Sequence, residues 1–256
     1  VDERTGAVTT TGTPPVRRAS HAAVHLGGGR VLVTGGYSYG ENAPFGVSNT
    51  AEIWDAATGQ FRALSARMLV RRVGHSMTLL PDGRVLIAGG LASTAASSYA
   101  LAEIYDPRTE TFSVVPSPDD RQRGFGPSVQ LADGSVLLLG GESHTDLHDT
   151  VLRFRPDGTG VETLGRLLRA RTLVQGVASR DGRVFLFGGE TARPEAPAAI
   201  TDAAESWTQQ GGATPIASLP QPRVGHTLTR LRDGRILIVG GESPGGALLG
   251  TALLYE

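Results

Sequence analysis

The stretch RRVGHSMTLLPDGRVLIAGG, from Arg71 to Gly90, decides the fold. It begins with two arginines, turns at Asp82-Gly83, and ends in an apolar run followed by two adjacent glycines. An Asp-Gly pair between two such runs is a strong signal for a tight β-hairpin. Because glycine weakens a strand interior, a glycine pair at a strand end indicates close backbone approach or an unusual bend.

Glycine pairs recur along the chain at a nearly constant spacing. They begin at Gly35, Gly89, Gly140, Gly188 and Gly240, so successive pairs are 54, 51, 48 and 52 residues apart. Periods of roughly 40–50 residues are typical of propeller blades. Gly240 lies 16 residues from the C-terminus and Gly35 lies 35 residues from the start, so the pattern wraps around with a step of 51. The spacing therefore predicts five repeats that close in phase.

Each repeat has the pattern of four antiparallel strands, without sustained helical periodicity. The third strand carries an aromatic residue: Trp54, Tyr105, Phe154, Trp207 or Tyr255. The segment DERTGAV (Asp2–Val8) matches DAATGQF (Asp55–Phe61), so we expect residues 1–10 to complete the last blade and close the ring. The prediction is one all-β, five-bladed β-propeller domain over 1–256. Its blades are expected at about 15–62, 70–115, 121–163, 169–216, and 222–256 plus 1–10.

The composition excludes several function classes. The chain of 256 residues has a net charge of -1, which gives no electrostatic argument for nucleic acid or an anionic membrane. No apolar run approaches the roughly 20 residues that a spanning helix needs. All 24 basic residues are Arg and there is no Cys, which excludes disulfides, thiol catalysis, zinc-thiolate sites, Schiff bases and P-loop chemistry. We predict no cofactor and a monomer.

The repeat resembles the kelch motif, which has a double glycine followed by an acidic residue, an aromatic residue and Asp. The second repeat shows the fullest match, through Gly89, Gly90, Glu103, Tyr105, Asp106, Thr109 and Phe112. The third repeat departs from the pattern at Leu152 and Arg155, and the fourth at Thr208. The resemblance implies a kelch-type β-propeller, a fold with six or seven blades in most members that serves mainly as a binding platform. The Arg-rich composition and such repeats are similar to those of exported or cell-surface bacterial proteins.

An arginine occupies the same position in every repeat. The five are Arg18, Arg72, Arg123, Arg171 and Arg223. They could form a ring at one mouth of the central channel and attract anionic ligands. Alternatively, each could hold its own repeat together through carboxylates such as Glu52, Glu103 or Glu205, or through loop carbonyls. Histidine follows three residues later in three repeats, as His21, His75 and His226.

The segments after the glycine pairs vary in length and content, as insertions on one face of a repeat protein do. The first of them, Tyr37–Thr50, is long and aromatic. In an up-and-down blade these segments share a face with the connections that lead into the arginines. We therefore expect a ligand to contact that face. The candidate ligand-binding residues are Tyr37, Tyr39, Glu142, Glu190, Glu242, Arg72 and Arg223.

A candidate metal site follows the third glycine pair, in the sequence GGESHTDLHDT. Glu142, His144, Asp146 and His148 are of the right types to hold a divalent ion. Some plant kelch proteins bind iron through a Glu, an Asp and a His spaced four apart. Glu142 and Asp146 fit that spacing, but Thr150 stands where the His would be.

These observations favour a non-enzymatic binding module that presents a loop face to a protein or carbohydrate ligand. The resemblance leaves two alternatives open. One is a carbohydrate-active kelch enzyme, similar to a sialic-acid mutarotase, with Arg, His and Glu at the channel mouth. The other is a structural segment of a larger surface protein.

Overall fold

The computed structural model describes residues 5–40, 43–92, 101–117, 122–193 and 196–256. These residues form strands, turns and irregular segments, with no helix among them, and therefore none that could span a membrane. The first repeat contains β1 (Arg17–Ala19), β2 (Ala22–Gly27), β3 (Arg30–Thr34), β4 (Tyr37–Gly40), β5 (Ala43–Val47), β6 (Ala51–Asp55) and β7 (Gln60–Ala63). The second contains β8 (Val73–Leu79), β9 (Val85–Leu91), β10 (Ala102–Asp106) and β11 (Thr111–Val114).

The remaining repeats follow the same order. The third contains β12 (Ser128–Gln130), β13 (Val136–Leu139), β14 (Thr150–Phe154) and β15 (Val161–Arg166). The fourth contains β16 (Arg171–Thr172), β17 (Gln175–Ala178), β18 (Val184–Phe187), β19 (Glu190–Arg193), β20 (Ala196–Ile200), β21 (Ala204–Thr208) and β22 (Gly212–Ile216). The fifth contains β23 (Thr227–Arg230), β24 (Ile236–Val239) and β25 (Ala252–Tyr255).

Each repeat builds one antiparallel main sheet. Main sheets 1 to 4 have four strands each, in the orders β2-β3-β6-β7, β8-β9-β10-β11, β12-β13-β14-β15 and β17-β18-β21-β22. Main sheet 5 has three strands, β23-β24-β25. Two smaller side sheets, β1-β4-β5 and β16-β19-β20, are built from the segments that follow the first and fourth glycine pairs. The predicted all-β organisation is thus confirmed.

The main sheets pack face to face in chain order. In the second strand of each repeat, alternate side chains point to the preceding and the following sheet. Val85 and Ile87 pack with Leu32 of main sheet 1, whereas Leu86 and Ala88 pack with residues of main sheet 3. Equivalent clusters join main sheets 3 and 4 and main sheets 4 and 5. The hydrophobic core therefore consists of layers between neighbouring sheets.

The glycine pairs allow neighbouring repeats to approach closely. A Cβ atom on Gly35 would lie 2.6 Å from the carbonyl oxygen of Arg72, which begins the next repeat. The N–H of Gly36 donates a hydrogen bond to that same oxygen at 2.8 Å. Both glycines have positive φ, 61° and 82°. The glycine pair is therefore explained by close backbone approach between repeats.

Residues 5–10 form no strand, and residues 1–4 lie outside the described residues. Next to them, the N–H of Gly12 and the hydroxyl of Thr11 bind the carbonyl of Gly59, at the outer turn of main sheet 1. No hydrophobic cluster of described residues joins main sheet 5 to main sheet 1. The expected outer strand from residues 1–10, and closure of the ring through it, are therefore not observed in the described part of the chain.

Candidate functional site

One face of the molecule gathers the starts of the repeats and the segments that follow the glycine pairs. In every repeat the residue after the arginine pairs with the residue after the glycine pair. The pairs are Ala19↔Tyr37, Val73↔Leu91, Gly124↔Glu142, Thr172↔Glu190 and Val224↔Glu242. The expectation that these two kinds of segment share a face agrees with this pairing. We call this surface the mouth face.

A pocket of about 280 Å³ opens at the centre of the mouth face. It is formed by the starts of the first four repeats, which bring apolar and polar side chains together. The lining residues are Ser20, His21, Gly74, His75, Phe125, Gly126, Pro127, Leu173, Val174 and Gln175. We call it the central pocket. Its size lies just below the range of roughly 300–1,000 Å³ typical of small-molecule sites.

The second residue after each arginine has a left-handed backbone conformation. The φ values are 52° for Ser20, 65° for Gly74, 55° for Phe125, 52° for Leu173 and 64° for Gly225. Glycine adopts this conformation readily, but a non-glycine residue in it costs on the order of 1–3 kcal/mol. Such strain is concentrated at functional sites, and four of these five residues line the central pocket.

Backbone hydrogen bonds connect these left-handed residues around the centre. The N–H of Gly74 donates to the carbonyl of Ser20 at 3.2 Å, and the N–H of Phe125 donates to that of Gly74 at 2.8 Å. The N–H of Leu173 then donates to the carbonyl of Phe125 at 3.0 Å. The side chains of Ser20, Phe125 and Leu173 are therefore presented from a fixed backbone, and they differ from repeat to repeat.

The five repeated arginines are buried within their repeats. The guanidinium of Arg72 donates to the carbonyl oxygens of Gly89 at 2.6 Å and Leu101 at 3.1 Å, and it forms an ion pair with Glu103 at 3.0 Å. Arg223 is also fully buried and donates to the carbonyl of Gly240 at 2.9 Å. These contacts correspond to the reading in which each arginine holds its own repeat together.

Two of the three histidines are buried between repeats. The Nε2 atom of His75 lies 2.8 Å from the hydroxyl of Thr34 in the preceding repeat. Burial, followed by the positive charge of Arg72, lowers the pKa of His75 to about 3. Burial and Arg223 lower the pKa of His226 to about 4. Both rings are therefore neutral at pH 7, whereas His21 is exposed at the central pocket.

The candidate glutamates occupy equivalent positions on the mouth face but differ in burial. Glu142 and Glu190 are partly buried, and burial and then the charge of Glu190 raise the pKa of Glu142. Glu242 is exposed. Glu142 pairs through the backbone with Gly124, next to Phe125, and Glu190 pairs with Thr172, next to Leu173; we call these two glutamates the acidic pair, and Glu242 belongs to the last repeat.

The aromatic candidates lie in side sheet β1-β4-β5. Tyr37 and Phe125 both pack against the cluster of Val47, Val73 and Leu91, so this cluster connects the side sheet to a lining residue of the central pocket. Tyr39 pairs with Arg17 through the backbone, and its side chain lies outside the described part of the structure.

The candidate metal ligands of the third repeat do not converge. His144 and His148 place their Nε2 atoms 2.9 Å from the carbonyl of Ala92 and 3.1 Å from that of Gln122. The carboxylate of Asp146 accepts a bond from the hydroxyl of Thr145. Within the described residues, no three His, Asp or Glu side chains are grouped so that they could hold a metal ion.

Ser20, Phe125 and Leu173 are not among the candidate residues predicted from the sequence. A signal was present, because the equivalent residues in two other repeats are Gly74 and Gly225. Glycine at a fixed distance from a repeated arginine indicates a positive φ. The same backbone conformation could therefore have been expected in all five repeats.

Comparisons with known proteins agree with this architecture. The kelch-like protein terF of Aspergillus terreus is 28% identical over 145 residues, which are 54% of this chain and 31% of the relative. A putative F-box/kelch-repeat protein of Arabidopsis thaliana is 27% identical over 130 residues, or 48% of this chain and 33% of the relative. The matched regions thus span about a third of each relative's length. No protein-family model matches the chain.

The solved structure of YjhT matches with a TM-score of 0.77 at 16% identity, and the match covers 94% of this chain and 82% of that one. At this identity the likeness shows the fold alone. The repeated glycine pairs, the antiparallel main sheets and these relatives define a kelch-repeat β-propeller fold. The chain is similar to kelch-repeat proteins in sequence and in fold.

Proposed function

We propose that the protein is a binding module whose mouth face takes a protein segment, with one apolar side chain of the partner entering the central pocket. The observation that carries this proposal is the set of left-handed residues around the pocket. Leu173 has a left-handed backbone where glycine serves in two other repeats, and Phe125 has the same backbone while its ring also packs against Val47, Val73 and Leu91. Strained positions with differing side chains are typical of a recognition surface.

The size and lining of the pocket favour a protein segment. A volume of about 280 Å³ suits one side chain or one sugar ring better than a larger ligand. Phe125, Pro127, Leu173 and Val174 supply apolar contact, while Ser20, His21 and Gln175 supply polar groups. The acidic pair Glu142 and Glu190 lies on the mouth face and would favour a cationic group on the partner. A carbohydrate ligand is the second outcome that the test below distinguishes.

The enzymatic alternative requires Arg, His and Glu side chains that reach a substrate at the mouth. The guanidinium groups of Arg72 and Arg223 are instead buried, and so are the rings of His75 and His226. We therefore base the proposal on the central pocket rather than on an arginine ring.

The test selects ligands for the immobilised protein from a random peptide library and from a glycan array. Binders are then compared on three variants. Leu173→Gly removes a pocket wall and keeps the left-handed backbone, and Glu142→Gln with Glu190→Gln removes the acidic pair. Asp181→Asn with Asp233→Asn neutralises two exposed turn residues on the opposite face and serves as the charge-matched control.

We expect peptides to be enriched and to bind Leu173→Gly at least tenfold more weakly, with the control unchanged. Enrichment of glycans with the same dependence on Leu173 would show that the pocket takes a carbohydrate and not a protein segment. Loss of binding in the control alone would overturn the choice of face.

A further inference from the structure

We infer that the space between main sheet 5 and main sheet 1 is a docking site for one further kelch-type repeat. This inference concerns the scaffold and does not depend on the proposed ligand. Three sets of contacts that join neighbouring repeats elsewhere in the molecule are unmatched at this junction. They involve the last glycine pair, the first histidine and the outer faces of the two sheets.

The first four glycine pairs each contact the arginine that begins the next repeat. The N–H of Gly36, Gly90, Gly141 and Gly189 donates to an arginine carbonyl at 2.8–3.0 Å. A Cβ atom on the glycine before each of these would lie 2.6 Å or less from that oxygen.

The last pair differs. The nearest atom to a Cβ on Gly240 is the carbonyl oxygen of Leu249, at 3.7 Å, and no arginine carbonyl of the described residues accepts the N–H of Gly241. Gly240-Gly241 is therefore shaped for an arginine carbonyl that the described residues do not provide.

The first histidine shows the complementary feature. His75 and His226 are 7% and 2% exposed, because each lies against the glycine pair of the preceding repeat. Their Cε1 atoms lie 2.6 Å from the Cβ position of Gly35 and 2.9 Å from that of Gly188. His21 holds the equivalent position in the first repeat but is exposed. It is placed to contact a glycine pair from a repeat that would precede the first.

The outer faces of the two sheets are apolar and incompletely covered. Val239 is 42% exposed, whereas its equivalents Ala88, Leu139 and Phe187 are at most 1% exposed. Leu254, on the edge strand β25, is 43% exposed. On main sheet 1, Val31 and Val33 are partly exposed, although Val85 and Ile87 at the same positions of main sheet 2 are fully buried. Interior repeats bury these positions between sheets, so both faces have the form of an inter-sheet contact.

A single added repeat could make the missing contacts with both main sheet 5 and main sheet 1. A kelch-type repeat begins with an arginine, whose carbonyl fits Gly240-Gly241, and carries a glycine pair that fits His21. A second copy of this chain could cover main sheet 5 with its own main sheet 1. It would then leave its own last sheet uncovered, which gives an open-ended assembly.

The size of YjhT agrees with one repeat. Because 94% of the 256 residues match 82% of YjhT, that chain has roughly 50 residues outside the match, about the length of one propeller repeat.

The main experiment adds such a repeat. Glu256 is equivalent to Asp106, and Asp2 is equivalent to Arg155. A copy of residues 107–154 is therefore joined after Glu256. It supplies the fourth strand of main sheet 5 and three strands of a further sheet. Residues 1–10 can then provide the fourth strand of that further sheet. Leu254→Cys gives a single thiol at the junction, because the chain has no cysteine. Val114→Cys, at a position that is 49% exposed on an outer strand, is the control.

We expect the thiol of Leu254→Cys to react rapidly in the original chain and at least tenfold more slowly in the extended protein, with Val114→Cys unchanged. Equal reactivity of Leu254→Cys in a folded extended protein would overturn the inference. Protection already present in the original chain would also overturn it, since it would show direct closure if the chain is monomeric or a second copy if it is dimeric.

A second comparison needs no added repeat. Gly89→Ala and Gly240→Ala each place an alanine at positive φ, 71° and 69°, but only the Cβ at residue 89 meets an arginine carbonyl. Gly89→Ala should lower the melting temperature at least twice as much as Gly240→Ala. Equal losses would show that Gly240 already contacts a neighbouring repeat, and would overturn the inference.

Discussion

Arg72→Ala tests whether the repeated arginines hold the sheets together. The guanidinium of Arg72 is fully buried and bridges two carbonyl oxygens and the carboxylate of Glu103. That carboxylate also accepts the N–H groups of Leu69 at 2.6 Å and Val70 at 3.0 Å, so it ties the entry of the second repeat to its third strand. Removing the guanidinium leaves a buried negative charge without its cation and two carbonyls without these donors.

Breaking a buried ion pair by removing one partner typically costs about 3–5 kcal/mol. For a domain of this size 1 kcal/mol shifts the melting temperature by roughly 2–4 °C, so the loss corresponds to roughly 6–20 °C. Glu103→Gln removes the charge but keeps an oxygen for Leu69 and Val70. The double variant Arg72→Ala with Glu103→Gln should therefore lose less than the sum of the two single changes, by about 1 kcal/mol or more.

Urea unfolding at pH 7, followed by circular dichroism and by tryptophan fluorescence, measures all three variants. Coincident transitions from the two probes establish that one free energy of unfolding can be assigned. A loss below about 1 kcal/mol for Arg72→Ala, or additive losses in the double variant, would refute the structural role. It would favour the alternative in which the arginines contact a ligand.

Three further predictions concern the histidines, the pocket and the N-terminal segment. Because the folded pKa of His75 is about 3 and the ordinary value is 6.5, the unfolded chain binds the proton first as the pH falls, and stability is lost between these values. Between pH 7 and pH 5 the free energy of unfolding should therefore fall by about 2 kcal/mol less in His75→Gln than in the original chain. His25→Gln, at an exposed position, should not reduce the fall, and urea titrations at both pH values measure it. Leu173→Gly should raise the free energy of unfolding by about 1 kcal/mol, since glycine relieves the left-handed strain, and a loss of stability would contradict this. Deleting residues 1–10 should change the stability of the original chain by less than about 0.5 kcal/mol but destabilise the extended protein, because only the extended protein has the further sheet whose fourth strand they can provide.

The repeat pattern was predictable because it consists of residues with strong local conformational preferences. The Asp-Gly turns and glycine pairs mark each hairpin, and alternating apolar residues mark both faces of each second strand. Side sheets β1-β4-β5 and β16-β19-β20 were not anticipated, since the segments that form them carry no regular alternation. The sequence did not decide whether Arg72 is buried, because a guanidinium can bind a carboxylate of its own repeat or an anionic ligand equally well.

The junction between the last and first repeats shows where periodicity alone is insufficient. A step of 51 residues across the termini is compatible with five closed repeats, and equally with an additional whole repeat. The inference of an additional repeat rests on the contacts of Gly240, His21 and Val239, and these depend on tertiary packing that a spacing cannot report. Ser20 and Leu173 were missed because their own residue types do not favour a left-handed backbone, and only the equivalent Gly74 and Gly225 indicate it.

Hydrogen exchange of the protein with and without a selected ligand tests most directly whether the mouth face binds. At saturating ligand we predict slower exchange at the amides of residues 20–21, 125–126 and 173–175, which line the central pocket. The hairpin turns at residues 82–83, 181–182 and 233–234 should exchange at unchanged rates. Protection confined to those turns, with none at the central pocket, would contradict the account.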